Sequence, residues 1–171
     1  MNWRISHRSQ PSARVIADRH YSRQKPGTPQ FVPPGRCVVF VATTGPAYWV
    51  TSWPFAEYVK HAWPGAWICS AFRNEGAGLS SDLIRQAVAA TRHHHLTEWA
   101  EYPMPGLGMV TFVDTKKTRH KRDPGRCFRK AGFRPCGWTR GGLFALQLLP
   151  HEMPEPEPPV GVTLCFGFAQ A

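Results

Sequence analysis

The sequence predicts an α/β (α+β) domain, a single mixed sheet flanked by helices. Three observations predict it. Residues 37–42 (CVVFVA) and 48–53 (YWVTSW) are β-branched and aromatic runs joined by the turn Thr43-Thr44-Gly45-Pro46, which is a hairpin. Residues 67–92 read as a strand, a glycine loop and a helix. Residues 109–113 (MVTFV) form another apolar strand after that helix. A hairpin followed by a β-α-β unit puts antiparallel and parallel neighbours in one sheet, with helices on its faces.

The remaining elements follow in chain order. Residues 1–10 are polar around Trp3 and Ile5 and hold a short first strand. Residues 11–19 read as a helix opened by Pro11 and carried by Ala13, Val15, Ile16 and Ala17. Four prolines and two glycines at 26–35 forbid a helix or central strand there, so this loop with Phe31 is a rigid connector able to carry chemistry. Residues 54–65 are irregular, with one helical turn at 55–60. Ser80, Ser81 and Asp82 suit a helix N-terminus, and Leu83, Ile84, Ala87, Val88 and Thr91 recur at helical spacing. His93, His94 and His95 point in different directions on a helix, so they read as a water-facing C-terminus rather than joint metal ligands. Residues 126–131 form a short helix stopped by Gly132, and a strand follows Gly141-Gly142 within 138–149. The expected organisation is one folded domain at 1–149, a Pro/Glu-rich linker at 150–159, and a strand at 160–171 returning to the same sheet.

The chain has 171 residues, enough for one core. Its 21 Lys+Arg against 11 Asp+Glu leave a net charge of +10, which favours a polyanionic partner, nucleic acid first. Five cysteines without a CxxC pair, and an N-terminus without an apolar signal region, fit a reduced cytoplasm. No apolar run approaches the roughly 20 residues of a membrane span.

Two stretches carry candidate chemistry. The loop Arg73-x-x-Gly76-x-Gly78 ahead of Ser80 and Ser81 makes an anion seat, because backbone N–H groups and a helix dipole converge there. The run 115–122 (TKKTRHKR), placed directly after Asp114 at a strand end, reads as a phosphate-contacting loop.

These residues resemble the GNAT acyltransferase superfamily. Arg73-x-x-Gly76-x-Gly78 is similar to its pyrophosphate loop, and Cys127-Phe128-Arg129-Lys130-Ala131-Gly132-Phe133 to its late segment ending in Gly-Phe. Many members place a Tyr in that segment as acid to the leaving thiolate. Phe128 stands there in this chain, which argues against ordinary acetyl transfer. Asp18-Arg19-His20-Tyr21-Ser22-Arg23, the Pro33-Pro34-Gly35 loop, Phe72-Arg73-Asn74-Glu75 and Gly125-Arg126-Cys127-Phe128 further resemble phage Mom-type DNA-modification proteins, a divergent branch. The resemblance implies addition of a carbamoylmethyl-type group to adenine N6 in double-stranded phage DNA, shielding it from restriction inside a bacterial host.

Under that expectation His20 is the general base, Tyr21 stacks on the base or supplies a proton, Asp114 orients His20 or accepts a proton from the amine, and Arg73 pairs with a donor or DNA phosphate. Plainer roles stand beside these: a loop-bonding histidine, a packed tyrosine, a turn-capping aspartate, and an Arg73 salt bridge to a nearby carboxylate. Arg73, Gly76, Gly78, Ser80 and Ser81 would hold an acyl-CoA-like donor. A redox metal such as iron has His20 and Asp114 as candidate ligands, though no dedicated metal motif is present. Arg23, Lys25, Arg36, Lys116, Lys117, Arg119, Lys121, Arg122, Arg129 and Lys130 would contact DNA. The alternatives are a conventional GNAT N-acetyltransferase acting on a small amine or protein, and a non-enzymatic DNA-binding module.

Overall fold

The computed structural model describes residues 1–32, 35–54, 59, 61–118 and 123–162. Among these residues seven strands and three α-helices run in the order β1 (Trp3–Ser6), α1 (Pro11–Ala17), β2 (Arg36–Ala42), β3 (Ala47–Trp53), β4 (Trp67–Asn74), α2 (Ser80–Glu98), β5 (Met109–Val113), α3 (Arg126–Lys130), β6 (Arg134–Trp138) and β7 (Phe144–Leu148). The strands form one sheet in the spatial order β1-β2-β3-β4-β5-β7-β6. Every pairing is antiparallel except β4 with β5. The fold is therefore mixed α+β, and α2 is the crossover that a parallel pair requires.

Strand alternation divides the core in two. Val38, Phe40, Trp49, Trp67 and Cys69 face α2, which buries Leu83, Ile84, Ala87, Val88 and Thr91 at helical spacing. Val39, Tyr48 and Val50 face the other way and pack on Ala13, Ile16 and Ala17 of α1. A further buried cluster joins Ile68 of β4, Val110 of β5 and Ala145 of β7 to Trp63 and Ala66.

The structure departs from the sequence reading in four places. The helix read at 11–19 stops at Ala17, which releases Arg19 and His20 into a turn. β4 runs two residues past Phe72, because Arg73 and Asn74 still pair with Tyr48 and Ala47. α2 continues to Glu98, and His95 is buried rather than water-facing, lying 5.2 Å from Trp67 and 5.7 Å from Trp53 between ring centroids. β6 occupies 134–138, most of which the sequence reading left without an element; it is an edge strand with a register shift, where Pro135 is tolerated. The helical turn expected at 55–60 lies outside the described residues, apart from Val59.

Residues 150–162 run back along the domain. A 3-10 turn over Pro150–Glu152 precedes the buried Met153, and Arg92 donates to the carbonyl of Pro154 at 2.6 Å. Val160 and Ile5 then exchange backbone bonds across to Trp3 and Gly161, and Val162 makes a parallel bridge with Ile5. The remainder of the expected last strand, from 163, lies outside the described residues.

Candidate active site

Position 70 breaks the β3–β4 ladder. Val50 pairs with Ala71 and Thr51 with Cys69, so Ser70 is an extra residue in β4. Such a bulge bends the strand and re-aims a side chain. β4 and β5 pair only from Trp67–Met109 to Cys69–Thr111. Beyond that point the two strands no longer pair with each other, though each keeps its antiparallel partner, and a cavity of about 520 Å³ opens between them. A second cavity of about 460 Å³ lies toward α1 and the 22–32 loop. Both volumes fall within the roughly 300–1,000 Å³ typical of small-molecule sites. His20, Ser70 and Ala71 line both cavities, so the bulge and the His20 turn form their common wall.

The His20 ring stacks on Tyr21, with centroids 4.4 Å apart. Its Nδ1 lies 2.7 Å from Ser22 Oγ and accepts the Ser22 N–H at 3.2 Å. A backbone N–H only donates, so Nδ1 is the lone-pair nitrogen and the neutral ring carries its proton on Nε2. Ser22 itself lines the second cavity. Burial is the main influence on the Tyr21 phenol and raises its pKa, against a hydrogen bond from the Asp114 backbone. Tyr21 therefore holds its proton at neutral pH.

The loop after β4 is tightly cross-braced. Asn74 Oδ1 accepts the N–H groups of Gly76 at 3.1 Å and Ala77 at 2.9 Å, while its Nδ2 donates to Gly78 O and Ser80 Oγ. Gly76 and Gly78 have φ of +113° and +133°, a region that disfavours any side chain. The β2–β3 turn presses on this loop: Thr44 Oγ1 donates to Ala77 O, and Glu75 N donates to Pro46 O. Arg73 lines the first cavity but donates from Nε to Glu75 Oε1 at 2.5 Å and from Nη1 to Arg19 O at 2.7 Å. Arg19 grips the same carboxylate with two donors. Hydrogen bonds from Arg19, then Arg73, hold the Glu75 pKa down to about 2. Ser80 lines the cavity, and Ser81 is buried beneath the loop.

Asp114 stands at the end of β5. Its Oδ1 accepts the N–H groups of Lys116 and Lys117, both at 3.0 Å, so the carboxylate caps a turn. Asp114 meets Tyr21 through its backbone. Lys117 lines the cavity and donates to Tyr21 O at 3.2 Å, and Lys116 is exposed beside it. Phe128 forms an apolar cavity wall against Trp49, Phe72 and Phe133. Cys69 and Cys127 also line the cavity, and burial pushes the Cys69 thiol far up, keeping it protonated.

The other basic residues scatter. Arg23 closes the 22–30 loop, bonding Asp18, Thr28 and Gln30. Arg36 lies over Tyr102 at 3.9 Å, at the opposite end of the strands from Arg73. Arg129 pairs with Asp123. Lys25 and Lys130 are exposed. Arg119, Lys121 and Arg122 lie outside the described residues.

The donor set fits an anion better than a metal. The N-terminus of the 19-residue α2 opens beside Ser80, and Arg19, Arg73 and Lys117 surround the same space. His20 Nδ1 and Asp114 Oδ1 are both taken by local hydrogen bonds, and among the described residues no three His, Cys, Asp or Glu side chains gather as a ligand set. Of the residues singled out in the sequence, His20, Tyr21 and Arg73, the loop residue Ser80 and the expected DNA contact Lys117 all line the first cavity. Sequence reasoning missed Ser22, Ser70, Arg19 and Glu75 as members of the site. The His-x-Ser spacing was a readable signal for Ser22; the bulge at Ser70 had none. Comparison with protein-family models, curated proteins and solved structures finds no match.

Proposed function

We propose that this chain is a DNA base-modifying transferase with a GNAT-like architecture, which adds a carbamoylmethyl-type group to adenine N6. The observation that carries this reading is the meeting of two ligand-sized cavities at His20 and the Ser70 bulge. A group transfer needs two substrates brought together at one wall. One parallel pair in an antiparallel sheet, with an Arg-x-x-Gly-x-Gly loop between β4 and the crossover helix, supports the GNAT-like assignment. The net charge of +10 supports a polyanionic substrate.

In this reading the first cavity takes the group donor, which supplies the electrophilic carbon, and the second takes the extruded adenine. Phe31 and Tyr48 stand edge to face at 5.8 Å in the second cavity and offer an aromatic wall that offsets lost base stacking. N6 must shed a proton as its new bond to carbon forms. Ser22 Oγ, already aimed at His20 Nδ1, relays that proton to the ring. Tyr21 returns a proton to the departing group as its bond to carbon breaks, the part that Phe128 has no proton to play.

Expression in bacteria followed by mass analysis of plasmid nucleosides tests the proposal. A modified deoxyadenosine is expected. Unmodified DNA from well-expressed protein would refute it. Acetyl-CoA turnover on small amines without a new nucleoside would point to conventional acetyl transfer, and salt-dependent DNA binding alone to a non-enzymatic module.

A further inference from the structure

Arg19 and Arg73 both line the first cavity, and both spend their donors on one carboxylate. Arg73 also donates to the Arg19 carbonyl, which fixes the two guanidinium-bearing residues beside each other. Neither is buried: the Arg19 and Arg73 side chains are 47% and 34% exposed. We propose that this pair is a phosphate clamp at the cavity mouth, and that the Glu75 carboxylate is an internal anion displaced by a phosphate group of the substrate.

Three features favour displacement. First, Glu75 stays ionised at any physiological pH, so the guanidiniums are released by exchange with another anion rather than by protonation. Second, the loop does not depend on the Glu75 side chain. The Glu75 backbone bonds Pro46, Thr44 bonds Ala77, and Asn74 ties Gly76, Ala77, Gly78 and Ser80 together. The carboxylate can swing away while the loop keeps its shape. Third, the Gly76 and Ala77 amides, which would otherwise cradle a phosphate, are held by Asn74 Oδ1. The arginines remain as the strong anion donors of the site. A phosphodiester presents one negative charge and two terminal oxygens, as a carboxylate does, so it can take the place of Glu75 in the guanidinium fork, and a diphosphate adds a second charge for the neighbouring arginine.

The clamp rests on the reading of this cavity as a substrate site, but it is measured without any chemistry. Its phosphate has two sources, a diphosphate on the group donor or the DNA backbone. Glu75→Gln in the full chain is titrated with inorganic pyrophosphate and, separately, with a short duplex oligonucleotide at low salt. Glu101→Gln, which removes the same charge at an exposed position beyond the far end of α2, is the control.

At least one probe is expected to bind Glu75→Gln about tenfold more tightly than wild type, equivalent to about 1.4 kcal/mol. A gain for pyrophosphate alone assigns the clamp to the donor; a gain for the duplex alone assigns it to the backbone. No gain for either probe, or an equal gain in Glu101→Gln, overturns the clamp. Should Glu75→Gln fail to fold, Arg19→Lys and Arg73→Lys are each expected to weaken the same probe about fivefold, since lysine keeps the charge and loses the fork. Unchanged affinity in both would overturn it equally. A modified nucleoside without tighter phosphate binding refutes the clamp alone, and tighter binding without a modified nucleoside refutes the proposed reaction alone.

Discussion

Asn74→Ala isolates the brace that shapes the loop beside the cavity. The substitution removes four hydrogen bonds, two accepted from Gly76 and Ala77 and two donated to Gly78 and Ser80. Each is worth roughly 0.5–1.5 kcal/mol net, and two of the four are solvent-exposed, so the low end applies and the sum is about 2 kcal/mol. A change of 1 kcal/mol moves Tm by about 2–4 °C in a chain of 150–250 residues, so a fall of about 4–8 °C is expected. Thermal unfolding followed by circular dichroism at neutral pH reads it. Asn74→Asp keeps the two acceptor bonds and loses the two donors, so its loss should fall near half. A Tm within about 1 °C of wild type for Asn74→Ala would refute the loop's dependence on this side chain.

Acid should weaken the fold through His94 and His95. Burial lowers both pKa values, with His95 against Trp67 and Trp53 and His94 against Trp99; Glu98 opposes the shift at His94, and the Tyr102 backbone opposes it at His95. The unfolded chain binds these protons near pH 6.5 and the folded chain only below that, so stability is complete above about pH 6.5 and falls as pH drops beneath it. Urea titrations of wild type and of a His94→Gln/His95→Gln variant at pH 5 and 7.5 should show a steeper loss in wild type, the variant keeping only the part due to other groups such as His61, and equal slopes would contradict it. Gly108→Ala should cost about 3 kcal/mol or more, because φ is +64° and a Cβ would lie 2.1 Å from the Leu148 carbonyl oxygen. Denaturant midpoints measure it, and a wild-type midpoint would show that the β5–β7 junction tolerates the shift.

The strands that face α2 were legible because their apolar content leaves no alternative. β2, β3, β4 and β5 appear close to where the β-branched runs place them. β6 had no element assigned to it: it is short, holds Pro135 and Gly137, and is made a strand by its place at the sheet edge. His95 was misplaced because a histidine run looks solvated; the pocket among Trp53, Trp67 and Trp99 is assembled from separate elements. At the site, His20, Tyr21 and Arg73 could be singled out by type and spacing. Their partners could not. The Arg19–Glu75–Arg73 cluster joins the turn after α1 to the loop after β4, across more than 50 residues. Asp114 was read as a member of the reacting group, and its side chain caps the following turn.

In the proposed reaction Ser22 passes the adenine N6 proton to the His20 imidazole at the junction of the cavities. Nucleoside mass analysis of plasmid DNA from cells expressing wild type, His20→Ala and Ser22→Ala tests it most directly, with duplex binding measured in parallel. Modified deoxyadenosine should appear with wild type and fall at least about a hundredfold with His20→Ala, since general-base catalysis contributes roughly 10²–10⁴. A fall is expected with Ser22→Ala too, and both variants should bind duplex as wild type does. Modification at wild-type level in both variants would contradict the account.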